Sequence, residues 1–544
     1  MKPSVILSLA VACLAAPMAP QGAYKDALDI INGQSSKFSD SSLRKRHGQE
    51  PDSFNIVFKD GVSIDQISEH LKLLDGLINK DSLNGIKTAF DLPSQKDGSG
   101  LMGYTGHFDK SIVDTLGNYS DLVTVEKDRI QKLPTFESFK STQNVYQGTP
   151  DAYQGLIDNF FKWWRQGNSP VQDPNNGQGQ QPEDDAVQPI GNQPNPIGQF
   201  PPPIGGENPF PSNQPSPSKP APEDPVTAPS TAPSTAPSNG SSPGTGNFQE
   251  VPTKNWGLFR VSHKQNSQSR NQYAMNKDTK NPTVAYIVDS GIRTSHKMFE
   301  GRASWGANFA DNQNVDNAGH GTHVAGTIGG AGYGVSPSTK LISVKVFVNM
   351  YGSTSQIMQG VSWAIDDYVK NKDKYPRAVI NFSGGGDTSE AEDALFRKAV
   401  EKGMVVAVAA GNDNTDACGI SPGRAGSQTS GFITVAASSS DDSLAIWDPS
   451  QNKASNWGSC VDVIAPGTNI LSADYQSDDG ILSNSGTSMA TPHVAGLAAQ
   501  LMATSSELLT PAQVEDTLIN ANNGKITGNL NGTPNKLAYN GSGL

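Results

Sequence analysis

The 544 residues carry 53 acidic against 41 basic side chains, a formal net charge of −12, with no basic cluster to follow a phosphate backbone. That length exceeds one ordinary domain and calls for two or more. No apolar run reaches the ~20 residues a spanning helix needs, so nucleic-acid binding and a helical membrane span are both set aside.

Residues 1–19 read as a secretory signal. Lys2 supplies the positive end, Val5 to Ala16 is apolar with small residues, and Pro17 and Pro20 follow, with the cut falling within Ala16 to Ala23. Cys13 leaves with the signal. Cys418 and Cys460 remain, an even pair in an oxidising compartment, which favours a bridge over two buried thiols. Ala23 to Glu50 is polar, and Arg44-Lys45-Arg46 within it reads as a solvated charge run rather than a processing site.

A small unit spans residues 52–134. Phe54 to Phe58 alternates as a strand. Ile64, Ile67, Leu71, Leu74 and Ile78 have helical spacing. Ile86 to Phe90 and Leu101 to Phe108 are two further strands, Ser111 to Leu116 a short helix, and Leu122 to Val125 a last strand. The order β-α-β-β-α-β is that of a ferredoxin-like α+β sandwich, a shape shared by many functions.

Residues 135–254 break the pattern. Leu156, Ile157, Phe160, Phe161, Trp163 and Trp164 cluster as a short amphipathic helix. From Gly167 to Asn247 the chain is rich in Pro, Gly, Asn, Gln and Ser and repeats Thr-Ala-Pro-Ser. Such a composition cannot bury enough apolar surface to offset its ordering entropy, and it predicts a largely disordered linker of extended polyproline character.

From residue 255 to 544 strands and helices alternate as in a mostly parallel sheet covered on both faces. Strands are predicted at Thr283 to Val288, Leu341 to Val348, Ala378 to Phe382, Met404 to Ala410, Phe432 to Ala437 and Val461 to Ile464. Helices are predicted at Ile357 to Val369 and Ser389 to Lys402, the second stopped by Gly403, and a buried one at Val494 to Met502. Asp289 stands at the carboxyl end of a buried strand, where α/β proteins place their sites. His320 lies among glycines in Gly319 to Gly326, and His323 three residues on offers a metal-ligand spacing with no third ligand placed beside it. Asn412 follows another buried strand. Ser488 sits before a core helix, near unpaired N–H groups and the positive end of the dipole. Singly, each is an ordinary turn former or cap.

Together Asp, His, Asn and Ser stand in that order at the mouths of predicted elements, the Asp…His…Ser order of one known protease arrangement. With Ile287-Val288-Asp289-Ser290-Gly291, His320 to Gly326 and Gly486-Thr487-Ser488-Met489-Ala490-Thr491-Pro492, the chain resembles the secreted fungal serine proteases of the subtilisin family, in their proteinase K branch. Trp256-Gly257-Leu258, Ser455 to Gly458 and Ala465-Pro466-Gly467 agree. Gly103 to Phe108 with Val125-Glu126-Lys127-Asp128 resembles the propeptide inhibitor domain carried in front of such enzymes.

The resemblance implies an α/β, three-layer subtilisin-like fold and a secreted endopeptidase made as an inactive precursor. It assigns Ser488 as nucleophile, His320 as general base and acid, Asp289 as its partner, and Asn412 with the Ser488 N–H as the oxyanion hole. Ser383-Gly384-Gly385 becomes one wall of the substrate cleft and Gly352-Ser353-Thr354 the other, pairing with an extended protein or peptide substrate as an added strand. Gly384 replaces a bulkier residue and predicts a roomier pocket. Val324 stands where proteinase K has a free cysteine, and Ser290 where threonine is usual. Cys418 and Cys460 match a pair bridged in some relatives. No cofactor is called for, and a structural calcium with Asp462 as carboxylate ligand is allowed. The chain's own propeptide is the expected intramolecular inhibitor, and a monomer is expected. The cut is expected near Leu133 to Phe136, or closer to Asn255 if the linker is shed. Sequons at Asn118, Asn239, Asn531 and Asn540 are glycosylation candidates, whereas Asn381 falls in a core strand and is expected bare.

Overall fold

The computed structural model describes residues 29–31, 52–59, 61–78, 84–90, 103–133 and 248–544. The secretory signal, the Arg44-Lys45-Arg46 run, the 156–164 apolar cluster, the Pro-rich linker to Asn247 and the sequon at Asn239 lie outside the described residues. Among the described residues no helix is long and apolar enough to cross a membrane.

The amino-terminal unit follows its apolar pattern. Strand β1 (Ser53–Phe58), helix α1 (Ile64–Leu77), β2 (Gly85–Phe90), β3 (Gly103–His107), α2 (Lys110–Gly117) and β4 (Val123–Lys127) build an antiparallel sheet in the order β2-β3-β1-β4. Helix α1 is started by a capping box, in which Ser63 accepts from the Gln66 N–H and the Gln66 side chain returns to the Ser63 N–H. Its Ile67, Leu71 and Leu74 pack on Ile56, Ile86, Tyr104 and Leu116. A short strand missed by pattern reasoning, β5 (Ile130–Lys132), leaves this sheet and pairs elsewhere.

The large domain opens with β6 (Phe248–Pro252), α3 (Trp256–Arg260) and β7 (Gln272–Asn276), β6 and β7 forming a hairpin-like pair. Its centre is a seven-stranded parallel sheet. The elements in chain order are β8 (Thr283–Asp289), β9 (Ala303–Asn308), α4 (His320–Gly329), β10 (Lys340–Lys345), β11 (Tyr351–Ser353), α5 (Thr354–Lys370), β12 (Arg377–Phe382), α6 (Glu390–Glu401), β13 (Val405–Ala409) and β14 (Phe432–Ser438). Then come the two-stranded pair β15 (Ile446–Asp448) and β16 (Lys453–Ala454), then β17 (Val463–Pro466), the hairpin β18 (Ile470–Ala473) and β19 (Ile481–Asn484), α7 (Thr487–Thr504) and α8 (Pro511–Asn520). The sheet order is β17-β14-β13-β12-β8-β10-β9.

Strand β8 shows why the sheet is buried on both sides. All seven of its residues are buried. Ala285 and Ile287 join the core under α4 and α7, while Val284, Tyr286 and Val288 join the core under α5 and α6. The alternation is carried by the pleat even though the residues read as one apolar run. Each large side chain taken from water this way contributes ~1.5–3 kcal/mol.

Helix α7 begins seven residues before the apolar run that announced it, and Pro492 lies inside it. Proline there removes the N–H that would bond the Ser488 carbonyl. The Ser383 hydroxyl donates to that carbonyl instead, at 3.0 Å, so the helix continues through the proline.

Candidate active site

Four candidate side chains stand at the ends of elements. Asp289 closes β8, Asn412 follows β13, His320 opens α4 and Ser488 is the second residue of α7. Both carboxylate oxygens of Asp289 lie 2.8 Å from His320 Nδ1, and both side chains are fully buried. That contact needs α4 to sit hard against the end of β8. A Cβ on Gly321 would stand 2.2 Å from the Gly291 carbonyl and 3.1 Å from the Asp289 Cβ, so only glycine allows the approach.

Asp289 and the loop before α4 are braced by residues that pattern reasoning missed or left aside. The Ser290 N–H donates to Asp289 Oδ1 at 2.6 Å, and the Gly321 N–H donates to Ser290 Oγ. Ser290 Oγ in turn donates to Asp316, whose two oxygens also take the N–H groups of Ala318, Gly319 and Thr322 and the Thr322 hydroxyl. Asp316 thus holds the turn that delivers His320. A lone Asp in a polar loop carries no sequence signal for this. His323 turns one ring nitrogen to backbone carbonyls. Its Nε2 lies 3.0 and 3.1 Å from the carbonyls of Ile470 and Leu482, and burial lowers its pKa from 6.5 to about 3, so the ring is neutral.

Ser488 Oγ donates to the Ser383 carbonyl at 3.0 Å. The turn before it relies on Gly486, whose φ of 147° lies outside the range of side-chain-bearing residues. Asn412 is tied at one end. Its Oδ1 accepts from the Thr487 N–H at 2.9 Å and the Thr487 hydroxyl at 3.0 Å. Its Nδ2 is buried and, among the described residues, meets no acceptor. A buried donor without a partner is unfavourable by ~1–3 kcal/mol unless another species takes it.

Beside these groups runs a cleft with a cavity of about 440 Å³, lined in part by Ser383, Gly384, Gly385, Gly411, Asn412 and Thr487. The other wall is β11. Strand β5 of the amino-terminal unit occupies the cleft as an added antiparallel strand, Tyr351 opposite Lys132, Gly352 opposite Gln131 and Ser353 opposite Ile130. The Leu133 N–H donates to the Met350 carbonyl at 2.8 Å, and Leu133 is buried 3.3 Å from where a Gly384 Cβ would stand.

Two carboxylates of the same unit seat on helix N-termini of the large domain. Glu126 accepts from the Ser389 hydroxyl at 2.6 Å and from the N–H groups of Glu390 and Ala391, at the start of α6. Asp128 accepts from the Ser355 N–H and hydroxyl, at the start of α5. Both satisfy orphan donors at the positive end of a helix dipole.

The remaining candidates are scattered. Cys418 and Cys460 form a disulfide, with Cα atoms 5.3 Å apart. Asp462 is buried, which raises its pKa from 3.8 to about 7, and its Oδ2 accepts from the Thr434 N–H. Among the described residues no three His, Cys, Asp or Glu side chains converge as a metal group. One carboxylate already engaged by a backbone N–H does not by itself fit an ion that gathers ~6–8 oxygens. Asn118 and Asn531 are exposed, the Asn540 amide donates to the Ala274 carbonyl at 2.7 Å, and Asn381 is fully buried.

The model of the subtilase family, Peptidase_S8, matches residues 279–541. The alkaline extracellular protease of Yarrowia lipolytica is 40% identical over 523 residues, which is 96% of this chain and 91% of that protein. Alkaline protease 1 of Aspergillus flavus is 44% identical over 288 residues, 53% of this chain and 68% of the relative. The solved structure of a cold adapted subtilisin-like serine proteinase is 40% identical, spans 52% of this chain and 97% of its own, and has a TM-score of 0.46.

Proposed function

The chain belongs to the subtilase family and is a serine endopeptidase of the subtilisin type, and from that premise we propose that it is a secreted protease working through Asp289, His320 and Ser488, held inactive at first by its own amino-terminal unit. The observation that carries the reading is at Asn412. Its Nδ2 is buried without an acceptor while its Oδ1 is tied to Thr487, directly beside Ser488. An amide held in that way is a donor waiting for a charge that appears during reaction.

An extended substrate pairs with β11 as β5 does, and its N–H takes the Ser383 carbonyl, releasing the Ser488 hydroxyl toward His320. Ser488 Oγ attacks the peptide carbonyl as His320 takes its proton. Asp289, bonded to His320 Nδ1, fixes the ring's tautomer and stabilises the imidazolium. The negative oxygen is received by Asn412 Nδ2 and the Ser488 N–H at the start of α7. His320 then protonates the leaving amine, and water repeats the sequence on the acyl-enzyme.

Autoinhibition rests on the same contacts viewed from the other side. The amino-terminal unit fills the cleft with β5 and anchors itself through Glu126 and Asp128. Self-cleavage is proposed near Leu133 to Phe136, with a cut closer to Asn255 that sheds the linker as the alternative. Secretion is supported by the signal at residues 1–19 and by the extracellular designation of the Yarrowia lipolytica relative. Carbohydrate is proposed at Asn118 and Asn531, both exposed. The deciding experiment is Ser488→Ala. The variant should lose casein digestion and remain an uncut precursor with unchanged circular dichroism. Retained digestion would refute the reading.

A further inference from the structure

The side chain of Gln131 points down from β5 into the large domain, and what it meets there is a second carboxylate. Gln131 is 4% exposed and Glu392, on the first turn of α6, is fully buried. Gln131 Nε2 donates to Glu392 Oε2 at 2.6 Å and lies 3.5 Å from the Thr354 hydroxyl. The stem of Gln131 rests on Gly386, its Cγ and Cδ 3.0 and 3.2 Å from where a Cβ would be. A Cβ on Gly386 would crowd this stem. Gln131 Oε1 and Glu392 Oε1 have no partner among the described residues.

Glu392 takes no part in the catalytic steps. It is buried next to a second acid, Asp393, and near Glu126 of the amino-terminal unit. Burial, first, and those two acids raise its pKa from 4.5 to about 8. A buried carboxyl at the end of a pocket is stabilised only by an occupant that donates a hydrogen bond or brings a positive charge. When the amino-terminal unit leaves, the occupant becomes the substrate. A substrate strand that pairs with β11 in the register of β5 places one side chain into this space, the residue opposite Gly352.

We propose that Glu392 sets the side-chain preference of this subsite, selecting glutamine or lysine opposite Gly352 and rejecting apolar and acidic side chains. The inference rests on the protease reading, since it takes β5 to mark the substrate's path. Gln131 has the length to reach Oε2 with its stem on Gly386, and lysine carries an ammonium on a similar flexible stem. Leucine would seal Glu392 from water with no partner, and glutamate would oppose it with like charge.

The test is a set of internally quenched peptides with the sequence of residues 128–136, bearing Gln, Lys, Leu or Glu at the position of Gln131. They are given at alkaline pH to the secreted enzyme freed of its amino-terminal unit, with cut sites located by mass spectrometry. The glutamine and lysine peptides should be cleaved with kcat/KM at least ~10-fold above leucine, and glutamate should be slowest. In Glu392→Leu the order should invert, with the leucine peptide fastest. Glu392→Gln should lose the lysine advantage while keeping glutamine. Four peptides cleaved within twofold of one another, or a preference that survives Glu392→Leu, overturns the inference while leaving the protease intact. Failure to cleave any peptide, with no labelling of Ser488 by a fluorophosphonate, would overturn the protease reading and this subsite with it.

Discussion

Glu126 offers the sharpest test of how the amino-terminal unit is held. It is part-buried and accepts two short hydrogen bonds, 2.6 Å from the Ser389 hydroxyl and 2.9 Å from the Glu390 N–H, with a longer one of 3.3 Å from Ala391. Glu126→Ala removes all three and leaves the N-terminus of α6 facing a partner that offers it no acceptor. Charge-assisted bonds contribute ~1.5–3 kcal/mol each, but solvent reaches this carboxylate, so about 1 kcal/mol for each short bond is the appropriate figure. The sum, about 2 kcal/mol, corresponds to roughly 30-fold weaker docking. The assay is a dilution series of the self-cut precursor, in which the fraction of Ser488 reactive to a fluorophosphonate reports release. The concentration at half-release should rise about 30-fold in Glu126→Ala, and Glu126→Gln, which keeps an oxygen acceptor, should fall between. A shift below threefold would refute the argument, because it would mean that β5 alone holds the unit and the helix caps are incidental.

Three further outcomes follow. Asn412→Leu should lower kcat on the order of 100-fold with KM nearly unchanged, read from peptide hydrolysis, the scale of loss known for subtilisin's own oxyanion asparagine. Docking of the amino-terminal unit should weaken as pH rises. Glu392, faced by Gln131, Glu126 and Asp393, keeps its proton up to about 8 when covered, and a hydrated carboxylate loses it near its ordinary 4.5. Docking therefore takes up a proton between those values, and affinity should fall by at most ~10-fold per pH unit across that window, measured by the same titration at several pH values. Replacing Cys418 and Cys460 together by serine should destabilise the domain by up to ~4 kcal/mol from loop entropy over their separation of 42 residues, measured by the denaturant midpoint, with peptide hydrolysis retained at low temperature.

Much of this molecule is legible in its amino-acid order. Long buried strands such as 283–288 and 404–410 announce themselves by apolar runs, and α1 by its spacing, because both patterns are local and repeat along the chain. Asp289, His320, Asn412 and Ser488 are legible for a different reason. Each sits in a short glycine-containing motif, and in the His320 motif Gly321 lets the Gly291 carbonyl approach. Helix α7 starts seven residues before the apolar run at Val494, because the turn that carries Pro492 has no apolar run to announce it, and the distant Ser383 hydroxyl takes the Ser488 carbonyl that the proline leaves without its N–H.

Composition, periodicity and motif order therefore determined the fold class and the kinship with the subtilases. Tertiary structure alone decided that Asp316 braces the turn before His320, that Glu126 and Asp128 cap α6 and α5, and that Gln131 meets Glu392. The last of these pairs is 261 positions apart in the chain, joined by a single hydrogen bond between ordinary polar residues. A local pattern records the period of one element's own backbone. It holds no record of which distant donor an isolated carboxylate will find, because that depends on where two separately formed elements come to rest.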